Sequence, residues 1–261
     1  MIETITILGG RDKAGRAEPV RRIDFKMGDI VSVVGPTGSG KTTLINDIEL
    51  FADANTPTGR SILINGTLPP LEYRDDPAHN PIALITQHTT FLSDLSVYDF
   101  LTTHARIRNA DPNHTHTVIE RTLGFANQLT GEPVAVESRM TELSGGQTRA
   151  LLIADATIIC NTPIVLLDEV ENAGIHRSRA LELLRQYRKI FIFVTHDPRI
   201  ALLSDYRIVM QNGSITQVLY TDEAEKRLST TVGKLGDALS NLREKIRQGE
   251  RITSFELEPL A

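Results

Sequence analysis

Gly35-Pro36-Thr37-Gly38-Ser39-Gly40-Lys41-Thr42 sets three glycines ahead of a lysine and a hydroxyl, and Thr43 follows. Phosphate chemistry asks for these residue types in this order. Glycines let backbone N–H groups wrap phosphate oxygens, and a helix opening at Lys41 favours their negative charge. Lys41 supplies a point charge to the β- and γ-phosphates of a nucleotide, and the Thr42 hydroxyl is a hard oxygen ligand for Mg²⁺. A second element suits the same reaction. Ile164-Val165-Leu166-Leu167-Asp168-Glu169 is an apolar run ending in two acids. Asp168 is suited to hold Mg²⁺ through water, and Glu169 to polarise an attacking water. An acid pair at a strand end is by itself a weak signal, and the glycine-rich loop upstream makes it a strong one.

These groups need a sheet to position them. A buried, β-branched strand, Ile30–Val34, runs into the glycine loop, and a helical pattern through Leu44, Ile45, Ile48 and Phe51 leaves it. Further strands are expected at Thr4–Leu8, Arg22–Lys26, Ser61–Ile64 and Ile82–Thr86, with a Pro/Asp-rich loop over 69–81. The apolar strand at 164–167 is of the parallel-sheet kind. Helices are expected over 97–129, 144–159 and 178–188, then a strand at Ile190–Val194 and a β-ribbon over 207–218 turning at Asn212-Gly213. Strands alternating with helices give an α/β architecture.

Leu143-Ser144-Gly145-Gly146-Gln147, shortly before the acidic strand, is identical to the signature sequence of the ATP-binding-cassette (ABC) ATPases. Gln87 resembles that family's Q-loop glutamine, and Phe91-Leu92-Ser93-Asp94-Leu95-Ser96-Val97 is similar to the segment after it. His196, in Phe193-Val194-Thr195-His196-Asp197, looks like the switch histidine, and Gly59-Arg60-Ser61-Ile62-Leu63-Ile64-Asn65-Gly66 is a familiar stretch. The resemblance covers roughly residues 3–218. It implies a P-loop nucleotide-binding domain with an antiparallel β subdomain, a helical insertion at about 97–143 and a C-terminal helix. The cassette would span 1–220 and the tail 221–261.

The resemblance further implies Mg-dependent ATP hydrolysis at composite sites, each ATP held by one subunit's P-loop and the other's signature. Ser144, Gly145, Gly146 and Gln147 would then meet the partner's nucleotide. Gln87 would touch Mg²⁺ or the water, and His196 would hydrogen-bond the γ-phosphate. The expected partners are a second copy or another ABC subunit, and either a membrane protein that the cassette energises or a soluble complex that it remodels.

Three positions depart from the pattern. Ile175 stands where the loop after the acid pair normally ends in aspartate, with Glu171 or Asn172 as substitutes. The stretch 9–20 lacks the aromatic that stacks on adenine, leaving Arg11 or Arg16 to do so by cation–π contact. Asp155 occupies the place of an arginine.

The bulk composition agrees with this reading. With 261 residues, 40% hydrophobic and 23% charged, the chain can bury a sizeable core, and its net charge of -5 lacks the footprint of a nucleic-acid binder. The one cysteine, Cys160, reads as a small apolar residue in Ile158-Ile159-Cys160 and fits a reducing cytosol. No apolar run reaches the ~18–20 residues of a membrane span, so a cytoplasmic location is expected, peripheral at the membrane's inner face through a partner. In the tail, Leu228, Val232, Leu235, Leu239, Leu242 and Ile246 form one helical seam. It suits either packing on its own domain or a short coiled coil, and Gly233 and Gly236 threaten its continuity.

Overall fold

The computed structural model describes residues 1–76, 79–91, 93–108, 114–170 and 177–252. The loop 171–176, which holds Glu171, Asn172 and Ile175, lies outside the described residues, as does Leu92.

The main sheet has six strands in the order β5-β6-β7-β3-β8-β9. These are β3 (Ile30–Val34), β5 (Ile82–Thr86), β6 (Ile164–Asp168), β7 (Ile190–Val194), β8 (Tyr206–Gln211) and β9 (Ser214–Tyr220). All pairs are parallel except β8–β9, whose Asn212-Gly213 turn has positive φ at both residues (51° and 84°). Three shorter strands, β1 (Thr4–Leu8), β2 (Arg22–Lys26) and β4 (Ser61–Ile64), make a separate antiparallel sheet with β1 central.

Side-chain alternation along the parallel strands builds two cores. Ile164, Leu166, Ile190, Ile192, Val31 and Val33 face α1 (Lys41–Glu49) and the small sheet. Val165, Leu167, Phe191 and Phe193 face the helical side. That side is built from α3 (Val97–Ile107), α4 (Thr115–Leu129), α5 (Gly145–Ile158) and α6 (Arg177–Leu184). Ser96 caps α3, accepting from the Asp99 N–H at 3.0 Å.

Two helices fall where none is expected: the single turn α2 (Glu72–Asp75), inside the Pro/Asp-rich loop, and α7 (Pro198–Leu203). Asp197 caps α7, accepting from the Arg199 N–H at 2.7 Å, with Pro198 in the first turn, where its missing N–H costs nothing.

The tail forms one helix, α8 (Glu223–Arg247), unbroken through both glycines. Gly236 has a reason to lack a side chain. The Arg199 guanidinium lies where its Cβ would be, and pairs with Asp237 at 2.9 Å. The expected seam divides. Val232, Leu235 and Leu242 are half-buried, whereas Leu228 (54% exposed), Leu239 (51%) and Ile246 (58%) face out. Arg207 anchors the first turn through a two-pronged pair with Glu225. Because part of the seam is docked, a chain ending at Tyr220 is expected to lose about 2–3 kcal/mol and melt about 5–10 °C lower. A thermal melt checks this, and an unchanged midpoint would mean that α8 adds nothing to the fold.

Candidate functional site

The glycine loop leaves β3 and enters α1 with Gly35, Gly38 and Gly40 at φ of 154°, 75° and 99°. Two of these positions have no room for a side chain. A Cβ on Gly35 would strike the Met210 carbonyl oxygen, and one on Gly40 would sit 2.9 Å from the Gly213 Cα. The β8–β9 turn therefore supports the loop from behind, and the Gly213 N–H donates to the Ser39 carbonyl at 2.8 Å. Lys41 is buried and folds back over the loop, its ammonium donating to the carbonyls of Gly35 (2.9 Å) and Pro36 (3.2 Å).

A cleft of about 300 Å³ opens over this loop. Thr37, Gly38, Gly40, Lys41, Thr42 and Thr43 line it, together with Lys13, Glu169 and His196. The acids arrive through the parallel register, which sets Asp168 between Thr86 on β5 and Val194 on β7. Glu169 follows in the left-handed region (φ 51°), held by its N–H to the Val194 carbonyl at 3.0 Å. Backbone strain at a non-glycine residue concentrates at functional positions, and here it accompanies a carboxylate that lines the cleft. His196 Nε2 lies 3.5 Å from Glu169 Oε1, and both side chains are partly exposed. The cleft thus gathers a cation, a hydroxyl, a carboxylate and an imidazole around a glycine-rich backbone. Thr42, Asp168 and Gln87 offer hard oxygens, a donor set that fits Mg²⁺ and disfavours soft metals.

Not every candidate joins this cleft. The Gln87 amide nitrogen lies 3.0 Å from His88 Nε2, and Gln87 and Asp168 stand outside the cleft's lining. Ser144 and Gln147 form a capping box on α5: the Gln147 N–H donates to Ser144 Oγ at 3.3 Å, and the Ser144 N–H donates to Gln147 Oε1 at 2.9 Å. The Gln147 amide also donates to the Pro133 carbonyl at 2.9 Å. The signature is braced by these hydrogen bonds at a helix N-terminus, and none of its residues lines its own chain's cleft.

Three further features were not anticipated from the sequence. Lys13, rather than Arg11 or Arg16, lines the cleft, donating to the Gly38 carbonyl at 2.8 Å. Asp12 captures Arg16 instead (2.9 Å), and Arg11 pairs through its backbone with Ala17. Arg149 bridges two motifs, donating to the Gly145 carbonyl at 2.8 Å and to the Gln87 carbonyl. Burial pushes its pKa down from the usual guanidinium value.

The third is a fully buried ionic knot. Arg60 pairs with Glu18 and with Asp47 on α1 (2.9 Å), and donates to the Gly213 carbonyl at 2.8 Å. Glu18 also accepts from the N–H groups of Gly10 (3.0 Å) and Ile215 (3.1 Å). The knot joins β4, the 9–18 loop, α1 and the β8–β9 turn behind the glycine loop. Sequence marks only Asp47, a carboxylate on the apolar face of α1 between Leu44 and Ile48.

This geometry can be set beside known proteins. Residues 21–172 match the family model described as ABC transporter. The chain is 48% identical over 98% of its length to an uncharacterized ABC transporter ATP-binding protein of Methanocaldococcus jannaschii, covering 97% of that relative. It is 32% identical to a spermidine/putrescine import ATP-binding protein of Bacteroides fragilis, over 75% of this chain and 42% of that one. Among solved structures, CbiO1 of Clostridium perfringens, part of an ABC transporter complex, superposes with a TM-score of 0.66. That match has 19% identity and covers 88% of this chain and 94% of the other. An ATP-binding cassette solved as a dimer in a post-hydrolysis state, with ADP and phosphate, gives a TM-score of 0.61 at 20% identity, covering 84% of this chain and 99% of its own. The glycine loop, the acid pair after β6, the capped signature helix and the histidine after β7 thus stand in the order of a cassette ATPase, and the chain belongs to the ABC transporter family of ATP-binding proteins.

Proposed function

We propose that the chain binds Mg-ATP in the cleft over Gly35–Thr42 and hydrolyses it as one of two cassettes driving a membrane transporter. One observation carries the reading: Lys41, Glu169 and His196 converge on one cleft, while the signature, closed by its own capping box, is not among the residues that line it. A helix N-terminus carrying Ser144, Gly145 and Gly146 is a phosphate site in want of a nucleotide, and a second copy supplies one.

The loop N–H groups and Lys41 bind the β- and γ-phosphates, exchanging the internal carbonyls of Gly35 and Pro36 for phosphate oxygens. Thr42, Gln87 and Asp168 would hold Mg²⁺, which would neutralise the charge of the phosphates. Glu169 orients a water and takes its proton as the water oxygen bonds to the γ-phosphorus. The bond from that phosphorus to the bridging oxygen breaks, leaving ADP and phosphate. His196, next to Glu169, donates to a γ-phosphate oxygen. Lys13 sits at the rim where Arg11 or Arg16 was expected, and takes over contact with the nucleotide there.

The transport role rests on the relatives, named as transporter ATP-binding proteins. The rival reading, a soluble remodelling ATPase, draws no support from them. Among the described residues no helix is long and apolar enough to cross a membrane, so attachment to the membrane's inner face would run through a partner. Lys41→Ala removes the loop's side-chain cation and is expected to weaken ATP binding about 10–100-fold, the worth of a charge-assisted hydrogen bond set. Titration with a fluorescent ATP analogue tests this, and unchanged affinity would refute the site.

A further inference from the structure

His104, Asp155 and Cys160 converge on the helical side, away from the nucleotide cleft. His104 stands in the last turn of α3, Asp155 on the buried face of α5, and Cys160 just beyond that helix. The Cys160 N–H donates to the Asp155 carbonyl at 2.9 Å, which winds the end of α5 so that the thiol returns beside the carboxylate. The His104 ring is braced by Phe100, with centroids 5.6 Å apart. Expected as a small apolar residue, Cys160 is instead half-exposed and polar in its contacts.

The three ligand atoms surround one point. His104 Nδ1 is 2.8 Å from Asp155 Oδ2 and 4.0 Å from Cys160 Sγ, and Sγ is 3.6 Å from Asp155 Oδ2. A nucleophilic triad needs the thiol on one ring nitrogen and the carboxylate on the other. Here both face the same nitrogen, which is how ligands gather around an ion. Tetrahedral zinc with ordinary bond lengths puts sulfur about 3.6 Å from a nitrogen or oxygen ligand, and oxygen about 3.3 Å from nitrogen. The observed separations reach those values with shifts of about half an ångström.

We propose that His104, Asp155 and Cys160 form a binding site for a borderline-soft divalent cation of the zinc class, with water as fourth ligand. Imidazole, carboxylate and thiolate are zinc's usual donors, and two anionic ligands match its charge. The cation takes the place of the proton that His104 shares with Asp155. Lys189 donates to Asn161 Oδ1 (2.7 Å) and to the Thr162 carbonyl (3.0 Å), in the two residues that follow Cys160. The open position lies on the half-exposed side of His104 and Cys160. Bound metal would clasp the end of α3 to the end of the signature helix.

The test uses the full chain, stripped with chelator and kept free of nucleotide, titrated with Co²⁺ as the spectroscopic stand-in for zinc. Cys160 is the sole cysteine, so a thiolate-to-cobalt charge-transfer band reports this site alone. The expected result is a band saturating at one equivalent, abolished by zinc and absent in Cys160→Ser. Both His104→Ala and Asp155→Asn should weaken cobalt binding by about 100-fold. Zinc should raise the melting temperature of the wild type and not of Cys160→Ser, whose Mg-ATP hydrolysis should match the wild type. No band at saturating cobalt would overturn the proposal. So would a band of unchanged affinity in His104→Ala, which would mark a lone thiol; that variant alone decides the matter should Asp155→Asn fail to fold.

Discussion

Glu169→Gln is expected to bind ATP as tightly as the wild type and to hydrolyse it about 10²–10⁴-fold more slowly. The amide keeps the size of the carboxylate and one accepting oxygen but cannot take the proton of the attacking water. The substitution leaves the backbone at φ 51° and the Val194 hydrogen bond in place, so the cleft keeps its shape. Phosphate release under saturating Mg-ATP measures the effect. A wild-type rate would transfer the proton to another group, and His196, 3.5 Å away, is the first to examine.

Arg60→Met has the largest effect expected on stability. The substitution leaves Glu18 and Asp47 buried with no cation between them, and breaking such a pair from one side costs about 3–5 kcal/mol. Denaturant unfolding should show that loss. Any variant that still folds should also bind ATP more weakly, because Gly213 and α1, both tied to Arg60, support the glycine loop. Replacing Glu18, Asp47 and Arg60 together by apolar residues should recover much of the stability, since no unpaired charge then remains buried. A single substitution that costs under about 1 kcal/mol would show the knot to be solvated.

Much of this was legible in the residues, and for physical reasons. Parallel strands buried on both faces must be continuous apolar runs, so β6 and β7 announce themselves. A glycine loop that feeds a helix, and an acid pair that ends a strand, carry their chemistry in their spacing. Ser144 with Gln147 three residues on spells a capping box, and the α5 N-terminus starts there. What was not legible depends on distant partners. The Arg60 knot joins residues 42 and 13 positions apart. Arg11 and Arg16 look alike to a search for a stacking cation, and only the turn at Asp12 decides that Lys13 reaches the cleft. Cys160 follows two isoleucines and reads as apolar until α3 brings His104 to it. In α8 periodicity located the helix, but not which half of the seam would dock, because that depends on Arg199 finding room at Gly236.

The central claim is that two chains close over ATP, each offering its signature to the other's cleft. Glu169→Gln holds ATP without consuming it, so light scattering on this variant with Mg-ATP is the most direct measurement. The account predicts a mass near twice the chain's 28.9 kDa, falling to a single chain when Ser144→Arg is added, with ATP still bound. A Glu169→Gln protein that carries ATP yet stays at one chain mass, or a dimer indifferent to Ser144→Arg, would contradict it.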